Sequence, residues 1–251
     1  MDRKISVAIP HYNNSNYITD ALFPLIHDDR IDEIIICDDN SSDYDILNNI
    51  INNLNCNKIK LVKNIENIGC YHNKIKTVGF CTNEWTLLLD SDNIMDKKFI
   101  DTLYEISHWD DGLIYAPSWA MTDKVNYAPN LDYRIYSNVK ITPDIYLNEF
   151  NNCVFQCLIN TCNYFLPVKQ YTECMKTLQL SYKREVIDCL DSAVLFTDWL
   201  CFNKNIFIVE DLTYFHRLHN NSNYVLSPSK NYCNYVNQMM IDKIIRITTN
   251  R

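Results

Sequence analysis

Two aspartates, two positions apart, follow a short apolar run in the middle of the chain. Residues 86–89 (TLLL) predict a buried strand, and Asp90, Ser91 and Asp92 come directly after it. Side chains at positions i and i+2 of an extended segment point to the same side, so both carboxylates can face one ligand. Mg²⁺ and Mn²⁺ prefer such oxygen ligands and often bring a substrate phosphate with them. The spacing therefore indicates either a divalent cation site or a solvated Asp-x-Asp turn.

The elements before this run favour the cation site. Apolar runs at residues 5–9, 34–37 and 59–62 predict strands, and amphipathic helical patterns lie between them. Alternating strands and helices predict an α/β fold with a parallel sheet and right-handed crossovers. Ligands bind such sheets outside the carboxyl ends of the strands. Tyr12, the pair Asp38 and Asp39, and the pair Asp90 and Asp92 each follow a predicted strand, which indicates one shared cleft.

Composition narrows the classes of protein. With 251 residues the chain is long enough for one large domain. A formal net charge of −8 argues against binding to nucleic acid backbones. Eleven cysteines, without a basic and apolar leader segment, predict free thiols in the cytoplasm. No apolar run approaches the roughly 18 to 20 residues that a membrane-spanning helix needs.

Four short segments carry a resemblance to a known family. They are SVAIPHYN (6–13), IIICDDNSSD (34–43), NIG (67–69) and LLDSD (88–92). In this order and spacing they resemble the nucleotide-sugar half of a family 2 glycosyltransferase with the GT-A fold. The resemblance implies a Rossmann-like, mostly parallel sheet flanked by helices. Residues 1–120 are then the nucleotide-sugar half, and 121–251 the acceptor half with a C-terminal helix.

The resemblance also implies a nucleotide site. The ring of Tyr12 would stack on a uracil base, and Asp39 would accept the uracil N3–H, which favours uracil or thymine over cytosine. Lys74 lies where family members often carry an arginine, so it is either a phosphate contact or a surface lysine. Asp38 is expected to cap the following turn. The residues expected to contact the nucleotide are Pro10, Tyr12, Asn67, Gly69, Lys74, Asp39, Asp90 and Ser91.

A cation would solve an electrostatic problem at this site. A nucleoside diphosphate is repelled by a cleft lined with aspartates, and Mn²⁺ or Mg²⁺ between Asp92 and the diphosphate reverses that repulsion. The segment RLHNNS (217–222) resembles a family segment that returns to the cleft. Its His219 would complete the metal shell or contact the diphosphate, whereas His216 suits a packed core histidine.

The general base is expected on a helix predicted over residues 184–202. Family 2 enzymes carry an acid near the start of such a helix, where it takes the proton of the acceptor hydroxyl. Asp191 is the predicted base and Asp188 the alternative. Both residues would also fit a solvated helix face.

These features predict an inverting, metal-dependent glycosyltransferase of hexosyl or N-acetylhexosaminyl type. It would move a sugar from a UDP-sugar to a hydroxyl of a glycan or another acceptor. Three alternatives stay open: a haloacid-dehalogenase-like phosphatase with Asp90 as nucleophile, a sugar-1-phosphate nucleotidyltransferase, and a domain that binds a nucleotide-sugar or glycan without turnover. The sequence identifies neither sugar nor acceptor, and the amphipathic helix at residues 232–247 fits either the core or a homodimer.

Overall fold

A computed structural model describes residues 3–122, 131–161, 163–178, 182–219 and 226–249. This part of the chain forms one eight-stranded sheet with helices around it. The strands are β1 (Ile5–His11), β2 (Ile31–Asp38), β3 (Ile59–Lys63), β4 (Trp85–Leu89), β5 (Leu113–Thr122), β6 (Lys140–Ile141), β7 (Asn163–Pro167) and β8 (Asn205–His216).

The helices follow the strands along the chain. They are α1 (Ser15–Ile26), α2 (Tyr44–Leu54), α3 (Cys70–Gly79), α4 (Lys97–Glu105), α5 (Pro143–Glu149), α6 (Cys153–Ile159), α7 (Val168–Lys176), α8 (Arg184–Ile187), α9 (Asp191–Leu200) and α10 (Cys233–Thr249). None of the helices in the described ranges has both the length and the apolar character that a bilayer crossing requires.

The sheet has the order β3-β2-β1-β4-β7-β5-β8-β6. Strand β1 pairs in parallel with β2 and β4, and β5 pairs in parallel with β8. Strand β7 runs antiparallel to β4 and β5, and β6 antiparallel to β8. The predicted mostly parallel α/β sheet is therefore confirmed. Because β2, β1 and β4 are neighbours, the polar segments that follow them lie side by side at one edge.

The central strands are buried on both faces, which explains their unbroken apolar sequences. Alternate side chains of β4 enter different cores: Leu88 packs into one cluster, and Leu87 and Leu89 pack into the other. All three are fully buried. This packing holds the end of β4, and with it Asp90, in a fixed position.

The helix predicted over residues 184–202 is interrupted. A 3₁₀ turn, Asp188–Leu190, separates α8 from α9. The buried hydroxyl of Ser229 accepts a hydrogen bond of 2.7 Å from the backbone N–H of Cys189, which supports the turn from outside. The break makes Asp191 the first residue of α9.

The second half of the chain is more regular than its sequence pattern indicates. Strands β5 and β8 extend beyond the apolar runs of their sequences at 114–117 and 206–209, and they pair along most of their length. The stretch 119–150, where no period is evident, contains β6 and α5, while residues 123–130 lie outside the described ranges. Helix α10 buries Val236, Met240 and Ile244 in the core of its own chain.

Candidate active site

A cavity of about 1040 Å³ opens at the carboxyl edge of the sheet. Every residue that the sequence predicts for the site lines this cavity. They are Pro10, Tyr12, Asp39, Asn67, Gly69, Lys74, Asp90, Ser91, Asp92, Asp191 and His219. Side chains from four strand ends and two helix starts thus face one volume, although they are widely spread along the chain.

Asp39 has a structural role at the end of the cavity that the sequence predicts to bind a nucleotide. One carboxylate oxygen accepts hydrogen bonds from the Asn64 side chain (2.8 Å) and the Ile68 N–H (2.9 Å), and the other accepts from the Gly69 N–H (2.8 Å). A carboxylate offers about four acceptor positions. Three are therefore used to hold the loop before α3, and one remains for a ligand.

Asp38, in contrast, is not among the residues that line the cavity. Its carboxylate accepts a hydrogen bond from the Ser41 N–H at 3.0 Å and lies 3.0 Å from His11 Nδ1. The side chain is fully buried. It caps the turn after β2, as the sequence suggests, while Tyr12 is 44% exposed and presents its ring at the mouth of the cavity.

The loop before α3 requires glycine at position 69. Its φ is +87°, and a Cβ there would lie 2.7 Å from the Arg184 Cγ and 2.8 Å from an Asp188 oxygen. The Arg184 guanidinium donates to the Asn67 carbonyl at 3.0 Å and to Asp188 at 3.2 Å. Arg184 therefore holds the loop before α3 in place, a role that the sequence does not reveal.

Asp188 belongs to the same clamp. It also accepts a hydrogen bond from the Cys70 N–H at the start of α3, at 3.3 Å. Burial raises the pKa of its carboxyl, although the Arg184 guanidinium opposes the rise. Of the two candidate bases, Asp188 is thus committed to the loop, which favours Asp191.

The segment after β8 lies against the acid-rich loop after β4. The His219 Nε2 is 2.8 Å from an Asp92 carboxylate oxygen. Arg217 donates from Nε to the Asp92 carbonyl at 3.1 Å and from its backbone N–H to the Asn93 side chain at 3.1 Å. The segment RLH thus reaches the predicted site through two residues, and Ser222 of the same segment lies outside the described residues.

The pair formed by Asp92 and His219 suits a divalent cation. A carboxylate oxygen is a ligand that Mg²⁺ and Mn²⁺ prefer, an imidazole nitrogen is a common metal ligand, and the two lie 2.8 Å apart. Within the described residues, no group of three or more His, Cys, Asp or Glu side chains is arranged to hold a metal. Mg²⁺ is commonly bound by one or two protein ligands and completed by substrate phosphates. Together with ligands from a bound substrate, the two residues would fit such a cation.

Lys74 lies at the centre of the cavity wall, and the surface-lysine alternative is wrong. Lys74 is only 5% exposed. Its Nζ is 2.6 Å from Asp191 Oδ2, 3.1 Å from Asp90 Oδ1 and 3.2 Å from the Ser192 hydroxyl. Burial raises the pKa of the Asp90 carboxyl to about 6, with Lys74 opposing the rise and Asp92 adding to it.

The far end of the cavity is polar but carries fewer charges. Gln156 and Asn160 of the α6 region line it, together with Thr161 and Tyr133. The Tyr133 hydroxyl and the Thr161 hydroxyl are hydrogen bonded at 2.8 Å. This wall lies in the half of the chain that was predicted to bind the acceptor.

The family model described as "Glycosyl transferase family 2" matches residues 6–166, more than half of the chain. The chain belongs to glycosyl transferase family 2. This confirms the resemblance seen in the sequence and disfavours the phosphatase and nucleotidyltransferase alternatives. The matched region of this family 2 chain ends within β7, so Asp191 and His219 lie beyond it.

Solved structures share the fold of this family 2 chain. The crystal structure of S. aureus TarS residues 1–349 with UDP-GlcNAc is 16% identical, with a TM-score of 0.69 over 96% of this chain and 66% of that one. The corresponding UDP complex is 17% identical, with a TM-score of 0.63 over 96% of this chain and 65% of that one. The family 2 chain thus spans about two thirds of those chains. No curated protein matches its sequence significantly.

Proposed function

We propose that this family 2 protein transfers a sugar from a UDP-sugar to an acceptor hydroxyl with inversion at the anomeric carbon. One observation carries the proposal: a single cavity is lined by three sets of groups. They are a base-stacking ring with a carboxylate (Tyr12, Asp39), two candidate ligands of a cation (Asp92, His219) and a candidate general base (Asp191). These are the three groups that a single displacement on a nucleotide-sugar needs. A protein nucleophile is not required.

The nucleotide would occupy the end of the cavity formed by β1, β2 and the loop before α3. Tyr12 stacks on the uracil, and the remaining acceptor position of Asp39 takes the N3–H. Pro10, Asn67, Gly69 and Ser91 complete this end. The UDP and UDP-GlcNAc complexes of S. aureus TarS support UDP as the first nucleotide to test, and an N-acetylhexosaminyl or hexosyl group as the sugar.

The cation would be Mn²⁺ or Mg²⁺, held by Asp92 and His219. When bound, it supplies positive charge to the departing diphosphate. Asp92 and His219 would hold the cation, while Arg217 holds the Asp92 backbone in place.

Asp191 would accept the proton of the acceptor hydroxyl. The acceptor oxygen forms a bond to the anomeric carbon as the bond from that carbon to the diphosphate breaks, and the UDP leaves with the bonding electrons. Because one attack replaces one leaving group, the configuration inverts. The acceptor is a glycan or another molecule with a free hydroxyl.

Metal-dependent release of UDP tests the activity. The protein is incubated with UDP-, GDP- and dTDP-sugars, with Mn²⁺ or with EDTA, and the anomeric configuration of the product is read by NMR. Release of UDP from one donor with Mn²⁺ alone supports the proposal. Tight binding without release supports a non-catalytic nucleotide-sugar or glycan-binding domain, and a product of retained configuration contradicts the inverting mechanism.

Asp92→Ala tests the cation site. We expect loss of metal-dependent UDP binding in calorimetry, because the cation loses its carboxylate ligand. Glu105→Ala is the matched control, since Glu105 is an exposed acid at the end of α4. Unchanged UDP affinity in Asp92→Ala would contradict the metal assignment.

Two further predictions stay proposals. The cysteine content favours the cytoplasm, which fractionation of cells would test. A homodimer would be seen by light scattering, which reports the mass of the assembly in solution.

A further inference from the structure

Lys74 lies between the acids after β4 and the candidate base on α9. Its ammonium contacts Asp90, which lies two positions before the candidate cation ligand Asp92, and it also contacts Asp191, the candidate base. The Asp191 contact is the shorter one, 2.6 Å between Nζ and Oδ2, although the atoms lack hydrogen-bond geometry. It is therefore an electrostatic contact that a stronger anion can replace.

We propose that Lys74 is a donor-dependent switch on Asp191. Without a donor, its ammonium pairs with Asp191 and Asp90. When the diphosphate of a UDP-sugar binds, the ammonium moves to a phosphate oxygen, and Asp191 is released to contact the acceptor hydroxyl. The inference rests on the function proposed above and extends it to the order of events, since the base becomes available only after the donor has bound.

The charges around Lys74 support this movement. Asp90 and Asp92 after β4, Asp188 in the 3₁₀ turn and Asp191 on α9 face the region, while Arg184 is bound to Asp188. The cavity thus holds more carboxylates than cations, and a diphosphate adds further negative charge. Lys74 is the ammonium that lies between these acids, so electrostatic attraction draws it toward the added charge.

The side-chain type also fits. Lysine carries a compact charge on a flexible four-carbon stem, whereas arginine holds a carboxylate through a rigid planar fork. Lys74 can therefore exchange partners by rotating its stem while its backbone stays in α3. A ligand shifts such an equilibrium only by its difference in affinity for the two states, and here the diphosphate contacts Lys74 in one state alone.

A double-mutant cycle on UDP affinity tests the switch. Calorimetry with UDP and Mn²⁺ should show about tenfold weaker binding for Lys74→Met, because a charged contact to phosphate is lost. Asp191→Asn should bind UDP about three- to tenfold more tightly than wild type, because Lys74 no longer has to leave a carboxylate. In the Lys74→Met background, Asp191→Asn should change the affinity less than about twofold.

Lys76→Met is the matched control. It removes the same charge from an exposed position on the same helix, and we expect unchanged UDP affinity. An equal gain from Asp191→Asn in both backgrounds would overturn the switch, because it would report only the removal of a negative charge. No gain in either background would also overturn it.

A crystal structure with UDP and Mn²⁺ provides a second measurement if Lys74→Met does not fold. The Nζ of Lys74 should lie within hydrogen-bond distance of a phosphate oxygen and beyond 4 Å from Asp191, against 2.6 Å in the free protein. An ammonium that stays on Asp191 would overturn the inference while leaving the proposed function intact. A protein that binds no UDP would overturn both.

Discussion

Asp28 and Glu33 at the amino edge of the sheet, and Asp90 and Asp188 in the cavity, have opposite environments. At the amino edge, Asp28 accepts hydrogen bonds from the Arg30 guanidinium at 2.8 and 2.5 Å, which hold the pKa of its carboxyl below the ordinary value. Burial opposes ionisation of Glu33, but hydrogen bonds from Ser6, Thr82 and Lys60 outweigh it and lower its pKa. Hydrogen-bond donors therefore compensate the negative charges of Asp28 and Glu33.

For Asp90 and Asp188 in the cavity the balance is reversed, whereas at the same carboxyl edge hydrogen bonds from His11 and Ser41 outweigh burial and lower the pKa of Asp38. Burial raises the pKa of Asp90 to about 6, and Asp92 and Asp191 contribute to the rise although Lys74 opposes it. Burial also raises the pKa of Asp188, in spite of Arg184. These acids have too few cations around them.

The difference separates acids that stabilise the fold from acids that are suited to a ligand. A carboxylate with a lowered pKa contributes to folding at neutral pH, and one with a raised pKa costs folding free energy. Uncompensated acids in a cavity are typical of functional sites, where a bound group supplies the missing charge. A divalent cation would do so here.

The largest expected effect is on transfer by Asp191→Asn. Losing the general base should lower the transfer rate about 10²- to 10⁴-fold. The free energy of unfolding should stay the same or rise, because one acid leaves a crowded cavity. Transfer rates and urea unfolding measure the two effects. A large loss of stability would contradict the comparison, because it would mean that Asp191 stabilises the fold as Asp28 and Glu33 do.

Glu33→Gln should have the next largest effect, and on stability. Glu33 is 5% exposed and accepts 2.6 Å and 2.8 Å hydrogen bonds from the Ser6 hydroxyl and the Thr82 N–H. The amide weakens these contacts and leaves buried groups unmatched, which costs about 1 to 3 kcal/mol of unfolding free energy. Urea unfolding measures the loss, and kcat should be unchanged because Glu33 lies outside the cavity.

Asp90→Asn makes the same acid-to-amide change at the other edge and should have the opposite sign. Removing a charge whose burial Lys74 compensates only in part should raise the free energy of unfolding by about 1 kcal/mol at pH 7.5. Transfer should fall, since Lys74 and the cation site lose a neighbour. A destabilised Asp90→Asn, measured beside Glu33→Gln in the same urea series, would contradict the comparison.

The smallest effect is on the pH dependence of stability. Asp90 has a pKa of about 6 in the folded protein and about 3.9 in the unfolded chain. The free energy of unfolding therefore rises as the pH falls from about 6 to 4 and Asp90 is protonated. Asp28 and Glu33 have lowered pKa values, so their contributions to stability are present above about pH 4 to 4.5 and are lost as the pH falls through their folded values.

Urea unfolding between pH 7.5 and 3 should therefore show a slight rise followed by a fall. In Asp90→Asn the rise should be smaller, because only Asp188 still contributes to it, while the fall should persist. Loss of the fall in Asp90→Asn would mean that the acid sensitivity comes from the cavity and not from the amino edge.

Much of the fold could be predicted because its signals are local. The apolar runs before Pro10, Asp38 and Asp90 form β1, β2 and β4, since strand patterns depend on neighbouring residues and on burial. The placement of Asp39, Asp92 and Asp191 around one cavity followed from strand order and the family resemblance. Their proposed roles stay predictions.

The local contacts of the site could not be predicted in this way. His219 meets Asp92 across 127 positions, and Lys74 meets Ser192 across 118. Three of the acceptor positions of Asp39 are taken by the loop before α3, and the helix that carries Asp191 is interrupted beside Ser229. The periodicity of the sequence does not predict such contacts between distant segments.

The sequence by itself determined that acids follow apolar strands, because alternation and burial are properties of short segments. Only the tertiary structure decided which acid Lys74 pairs with, and that Asp188 is bound to Arg184 while Asp191 faces the cavity. The physical reason is that ion pairing depends on distances of a few ångströms between elements, and packing of the whole sheet sets those distances.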